Sequence, residues 1–159
     1  MASVTVISVG TLKEQYLKDA VKEYKKRLSQ LAAVEEIELK EERIHSEDDE
    51  VEIKRALECE GERILAAVPK GASIIALCIE GKQYSSEELA TLIGQRVDAT
   101  GKIAFVIGSS HGLSDKVKRA ADLKLSFSRL TFPHQLVKPL LLEVIYRSFS
   151  ILAGKRYHK

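Results

Sequence analysis

Ile103-Ala104-Phe105-Val106-Ile107-Gly108-Ser109-Ser110-His111-Gly112-Leu113 is the stretch on which the fold turns. Its first five residues are all apolar, which is the pattern of a strand buried on both faces; a strand with one wet face would alternate. Gly108 then ends the strand in a small-residue turn, where a chain without a Cβ lets backbone approach a ligand closely.

Working outward, Val4-Thr5-Val6-Ile7-Ser8-Val9, closed by Gly10, reads as a second buried strand. Ser73 to Ile79, closed by Glu80-Gly81-Lys82, reads as a third. Ala33 to Leu39 sets Val34, Ile37 and Leu39 among glutamates, so that strand is expected half exposed. Leu123 to Ser126 is a short fifth strand. Helical spacing fills the intervals. Leu17, Val21, Tyr24, Leu28 and Leu31 mark a helix within 12–31, and Ile53, Leu57, Ile64 and Leu65 mark one over 51–68. Ser85-Ser86-Glu87-Glu88 is a capping box that opens a helix to about Ala99. Ser114 or Asp115 caps a short helix to about Ala121, and Leu136 to Ala153 is a final helix. Strands alternating with helices predict an α/β fold, a mostly parallel sheet flanked by helices. Residues 1–159 are expected to form a single domain, with no repeat or linker dividing them.

Ligands of such sheets bind at the carboxyl ends of the strands, here Gly10, Gly81, Gly108 and Phe127. Gly81-Lys82 is not a phosphate loop, because Ala76 stands where the first glycine is needed and Gln83 where Ser or Thr is needed. Gly108 to Gly112 is not a dinucleotide fingerprint either. The residues alone point to a ligand site at 77, 108–112 and 127–133. Cys59 and Cys78 have no partner at metal-ligand spacing and read as reduced thiols; no metal is expected. No run of about 18 apolar residues offers a membrane span, and the N-terminus lacks the pattern of a secretory signal, so the protein reads as cytoplasmic.

Charge is unevenly placed. Residues 35–52 hold ten acidic against two basic side chains, whereas residues 116–159 hold ten basic against two acidic. A basic C-terminal part suits a polyanionic partner. The last helix carries Leu136, Val137, Leu140, Leu141, Leu142, Val144, Ile145, Phe149, Ile151 and Leu152 and leaves little polar face. Such a helix needs cover on more than one side, and a second subunit is the expected source, against burial within one monomer.

Several segments resemble one family. They are Val9-Gly10-x-Leu12-Lys13, Glu60-Gly61-Glu62-Arg63-Ile64-Leu65, Ile79-Glu80-Gly81-Lys82, Phe105-Val106-Ile107-Gly108, Leu125-Ser126-x-Ser128-x-x-Thr131-x-Pro133-His134-Gln135, Glu143-x-x-Tyr146-Arg147 and Tyr157-His158-Lys159. Together they are similar to the bacterial ribosomal RNA large-subunit pseudouridine N3-methyltransferases of the SPOUT (knotted) superfamily, over the whole chain. The resemblance implies a C-terminal trefoil knot, a homodimer and bound S-adenosylmethionine. It implies cofactor contacts at Leu77, Gly108, Phe127, Ser128, Arg129, Leu130, Thr131 and Phe132. It further implies methyl transfer to N3 of a pseudouridine in 23S rRNA of the assembled ribosome, without metal. The candidates for positioning the base and taking its proton are His134, Glu143, Arg147, Tyr157 and His158. Arg129, Lys138, Arg156 and Lys159 are candidates for phosphate contact. Two other readings stay open: an idle RNA- or ribosome-binding homologue, and a SPOUT methyltransferase with another RNA target. For Glu143 and Arg147, four apart, an ordinary intrahelical ion pair is the simpler expectation.

Three positions depart from the family pattern: Ser109 stands where a second glycine is usual, Lys138 where arginine is usual, and Pro139 where an aliphatic residue is usual. Proline inside a helix costs about 3 kcal/mol, so the last helix is expected to start near Leu136 or to kink there.

Overall fold

The computed structural model describes residues 1–158. Its strands are β1 (Ser3–Val9), β2 (Ala33–Leu39), β3 (Ser73–Lys82), β4 (Lys102–Ile107) and β5 (Leu123–Leu125). Its helices are α1 (Gln15–Leu28), α2 (Glu50–Ala67), α3 (Ser86–Thr100), α4 (Asp115–Ala120) and α5 (His134–Leu152). The strands form one sheet in the order β2-β1-β4-β3-β5, and every pairing is parallel. The alternation read from the sequence is therefore realised element by element.

Side-chain alternation along the strands divides the core in two. Val4 and Val6 of β1 join Ile103, Phe105 and Ile107 of β4 on one face, where α1, α3 and α5 supply Val21, Leu28, Leu89, Ile93, Leu141, Leu142, Ile145 and Phe149. Ile7, Val9, Ala104 and Val106 face the other way, onto Ile64 of α2 and Val117 of α4. β4 is covered on both faces, as its unbroken apolar run requires. β2, at the edge, is half exposed.

Helix ends follow their chemistry. Ser85 and Glu88 form the complete capping box of α3, and Gly101 closes that helix in the left-handed region at φ 70°. The Ser114 hydroxyl caps α4. Asp49 accepts from the amides of Val51 and Glu52 at the start of α2.

The structure corrects three boundaries. Helix α1 is shorter than 12–31. Its C-terminal carbonyl, that of Leu28, accepts from both Leu31 and Ala32, which turns the chain into β2. At the other end Gln135 clamps the approach to α1, accepting from the Lys13 amide and donating to the Thr11 carbonyl, both at 3.0 Å. Strand β3 does not stop at Ile79. It continues to Lys82, with a slip in pairing: Leu77 and Lys82 both register with Leu125. Gly81 permits this, because a Cβ there would stand 2.7 Å from the Lys124 carbonyl oxygen.

Helix α5 starts at His134, two residues before the expected start, and is one helix through Pro139. Proline at its sixth position leaves the Gln135 carbonyl without its amide donor. Tertiary cover outweighs that loss. Pro139 and Lys138 are both buried, and the Lys138 ammonium meets Glu36 at 2.5 Å and Glu38 at 3.5 Å. Most of the apolar surface of α5 is also covered within the monomer, by α1, α3 and the sheet. Leu136, Val137, Leu140 and Val144 stay half-buried and Leu152 is exposed.

Replacing Pro139 by Ala restores the amide donor and removes little volume. Urea unfolding of Pro139→Ala is expected to show a gain of about 1–2 kcal/mol, the proline penalty less the lost ring packing. A destabilised variant would show that ring packing, not helix geometry, sets this position.

Candidate functional site

The slip in β3 builds the site. Between Leu77 and Lys82 the strand bows out, and Leu77, Cys78, Ile79 and Glu80 become one wall of a cavity of about 340 Å³. The turn that follows β4, Gly108 to Gly112, is a second wall, and residues 125–132 are the third. A volume of this order is that of a small-ligand site. Its lining is mainly apolar, with Leu77, Ile79, Phe127, Leu130 and Phe132.

The Gly108 turn is tight. A Cβ on Gly108 would lie 2.2 Å from the carbonyl oxygen of Gly112. The Gly112 amide donates to the Ser109 carbonyl at 2.9 Å, and Gly112 takes φ 93°. Ser109, the departure from a second glycine, is accommodated: no non-glycine residue among those described has positive φ. The third wall is held by small hydrogen bonds. The Ser126 amide donates to the Lys82 carbonyl at 3.0 Å, the Ser126 hydroxyl to the Ser128 carbonyl at 3.2 Å, and the Leu130 amide to the Ser128 hydroxyl at 3.0 Å.

Of the expected cofactor positions, Leu77, Gly108, Phe127, Ser128, Leu130, Thr131 and Phe132 line this cavity. Arg129 belongs to the same segment but is exposed and outside the lining. Of the expected catalytic positions, His134 lines the cavity. Of the four strand ends, Gly108 and Phe127 line it, and Gly10 and Gly81 do not.

The other four candidates form a separate cluster. Arg147 binds Glu143 through Nε at 3.0 Å and Nη2 at 2.8 Å. The ion pair expected from their spacing is thus present, and it is part of something larger. The Tyr157 hydroxyl donates to the other carboxylate oxygen of Glu143 at 2.8 Å. The Arg147 guanidinium lies over the Tyr157 ring at 4.7 Å. Arg147 Nη1 also meets His158 Nδ1 at 3.1 Å, and His158 Nε2 meets Glu87 at 2.7 Å. Residues 157 and 158 are packed against their own chain. Arg147 reaches a second cleft of about 260 Å³, which shares Leu125, Ser126, Phe127 and Phe132 with the first cavity. The two spaces are therefore two sides of one segment.

Phosphate contact by Lys138 is corrected. Its ammonium is buried and spent on Glu36 and Glu38. Arg129 and Arg156 are exposed, and Lys159 lies outside the described residues. Sequence reading missed Cys78, Ile79 and Glu80 of the bowed strand, since an apolar run ending in Glu-Gly-Lys does not reveal a slip. It also missed Lys118, which lines the cavity and pairs with Glu80 at 2.6 Å. That hydrogen bond lowers the Glu80 carboxyl and raises the Lys118 ammonium. Burial pushes the Cys78 thiol up. Among the described residues no cluster of His, Cys, Asp and Glu is arranged to hold a metal ion, and no helix is long and apolar enough to cross a membrane.

A family model described as "Predicted SPOUT methyltransferase" matches residues 2–158. The chain belongs to the SPOUT methyltransferase family. Its SPOUT relatives include proteins named ribosomal RNA large subunit methyltransferase H. That of Caldicellulosiruptor bescii is 51% identical over 156 residues, 98% of this chain and 99% of the relative. That of Bacillus pumilus is 48% identical over 158 residues, 99% of each. Among solved structures, a probable methylase family protein from Haemophilus influenzae superposes with TM-score 0.54 at 16% identity, over 98% of this chain and 70% of the other. A putative methyltransferase from Legionella pneumophila, solved with SAM bound, gives TM-score 0.51 at 12% identity, over 95% and 66%. These two likenesses show a shared fold.

Tyr24 reports on the tail cluster. Burial, and then the Glu143 carboxylate, raise its phenol from 10.0 to about 12. A folded value above the unfolded one means that the neutral phenol's contribution to stability is complete below the unfolded value and is lost as pH rises through the folded one. Burial, and then Glu143, also raise the Tyr157 phenol, so the difference between the absorbance titrations of the wild type and Tyr24→Phe is expected to be one tyrosine ionising near pH 12. A difference centred at the ordinary tyrosine value would place the perturbed phenol elsewhere.

Proposed function

We propose that this protein is an S-adenosylmethionine-dependent methyltransferase acting on N3 of a pseudouridine in 23S rRNA of the assembled ribosome. One observation carries the reading: the bowed β3, the Gly108 turn and residues 126–132 converge on one apolar cavity in a chain about half identical to rRNA methyltransferases over its full length. The residues present fit the cofactor. Leu77, Phe127, Leu130 and Phe132 offer flat and branched apolar surface for an adenine, and the close-packed glycine turn presents backbone groups to a ribose. When bound, the sulfonium supplies an activated methyl group.

What the chain must add is position and proton management. Glu143 already accepts from two nitrogens of Arg147 and from Tyr157. Its oxygens are engaged, so it orients the cluster and does not serve as a free base. Arg147, stacked on Tyr157 and open to the second cleft, takes a phosphate of the RNA there, while the target base reaches past residues 125–132 to the donor cavity. His134, in the first cavity, takes the N3 proton. Arg129 and Arg156 contribute salt-dependent attraction to RNA.

The protein acts in the cytoplasm as a homodimer of single-domain subunits, each with the trefoil knot of its superfamily. Dimerisation is supported by the half-buried strip Leu136, Leu140 and Val144 of α5 and by the exposed Leu130 and Phe132 nearby. The knot is supported by residues 126–132 lying against both the bowed β3 and the Gly108 turn.

Ribosomes from cells lacking the gene, incubated with the protein and labelled S-adenosylmethionine, are expected to gain one methyl group on a 23S pseudouridine, located by mass mapping. A methyl on another nucleotide would overturn the target, and no binding of S-adenosylmethionine at millimolar concentration would overturn the enzyme. Gly108→Ala should weaken cofactor binding more than about tenfold in calorimetry, because the added Cβ cannot avoid the Gly112 carbonyl without moving the turn.

A further inference from the structure

Glu60 and Gly61 stand side by side in α2, both buried, facing the Gly108 turn from behind. Glu60 is only 3% exposed. A carboxylate so far from water is retained against a solvation cost and needs partners. Its Oε2 accepts the amide of Glu42 at 2.8 Å, and the Ser109 side chain lies within reach of the same carboxylate, where it acts to lower it. Burial still pushes its carboxyl above the usual range. Ser109 is itself buried and lines the cavity. Next to it, Gly61 lets α2 press on the far end of the same turn: a Cβ there would stand 2.4 Å from the Ser114 hydroxyl and 3.3 Å from Val117 Cγ2. Ser114 is the N-cap of α4. One helical dipeptide therefore touches residue 109 at one end of the turn and residue 114 at the other.

We propose that the Glu60–Gly61 pair is a positioning device for the donor-binding turn. Glu60 acts through Ser109, and Gly61 acts through the close seat of Ser114; neither touches the donor. The pair fixes the spacing of residues 108–113 and so sets affinity for S-adenosylmethionine. The inference rests on the methyl-donor reading of the cavity. It also gives Ser109 a role that a glycine at that position would lack, since only a side chain can reach the Glu60 carboxylate.

The test combines calorimetry with S-adenosylmethionine and amide hydrogen exchange on Glu60→Ala, Glu60→Gln, Ser109→Ala and the Glu60→Ala/Ser109→Ala double variant. Glu60→Ala is expected to raise Kd about tenfold, the usual scale for losing a buried charge-assisted link. Glu60→Gln, which can still accept from Glu42 and donate to Ser109, should stay within about twofold. Ser109→Ala should weaken binding, and Glu60→Ala should add little in that background, as linked residues couple. Exchange should rise at residues 109–113 in Glu60→Ala and stay unchanged in the central strands. A wild-type Kd for Glu60→Ala, or a loss undiminished in the Ser109→Ala background, overturns the proposal. If Glu60→Ala fails to fold, a wild-type Kd for Ser109→Ala overturns it instead. Should the wild-type protein not bind S-adenosylmethionine, the methyl-donor reading falls, while the exchange comparison still decides whether Glu60 holds the turn.

Discussion

The pairing of β3 with β5 is the contact on which the site depends. Three residues, Leu123 to Leu125, are all that β5 contributes, yet they sit beside β3 at two places because Leu77 and Lys82 both register with Leu125. The four residues between them have no ladder partner and must bow away from the sheet. That bow makes one wall of the cavity. The same short strand delivers residues 126–132 to the opposite wall and leads into α5. The Gly108 turn, at the end of a strand covered on both faces, closes the third side. Moving the β3–β5 register by one residue would reverse which side chains face the cavity, so the site and the sheet edge are one structure.

A second constraint is close backbone approach. Gly81 lies against the Lys124 and Leu125 backbone, Gly108 against Gly112, and Gly61 against Ser114. Each contact is shorter than a side chain would tolerate. Together they let two strands, a turn and a helix cap crowd around a space of a few hundred cubic ångströms. The charged cluster of Glu143, Arg147, Tyr157 and His158 is built differently. Its parts are held by charge-assisted hydrogen bonds and ring contact, on the far side of residues 125–132.

Much of this was legible in the sequence, and the reasons differ from place to place. Apolar runs ending in glycine located β1 and β4 because burial and termination are both local properties. Ser85 and Glu88 announced α3 because a capping box is local too. The extension of β3 to Lys82 was hidden, since a slip is a relation between two strands. Lys138 was misread for the same reason: Glu36 and Glu38 are distant in sequence, and a lysine in a basic segment gives no sign that its charge is buried. Pro139 suggested a late or kinked start, and the packing of α5 against α1 and α3 overrode a local penalty. The cavity residues came from family resemblance more than from periodicity. The separation of His134 from the other four candidates is a finding of the structure alone.

Crystals grown with S-adenosylhomocysteine test the central claim most directly. Difference density for the ligand is predicted in the cavity bounded by Leu77, Gly108 and residues 126–132, with the purine against Phe127 or Phe132. Density in the cleft beside Arg147, in the groove between α2 and α4, or nowhere on the chain would contradict the account.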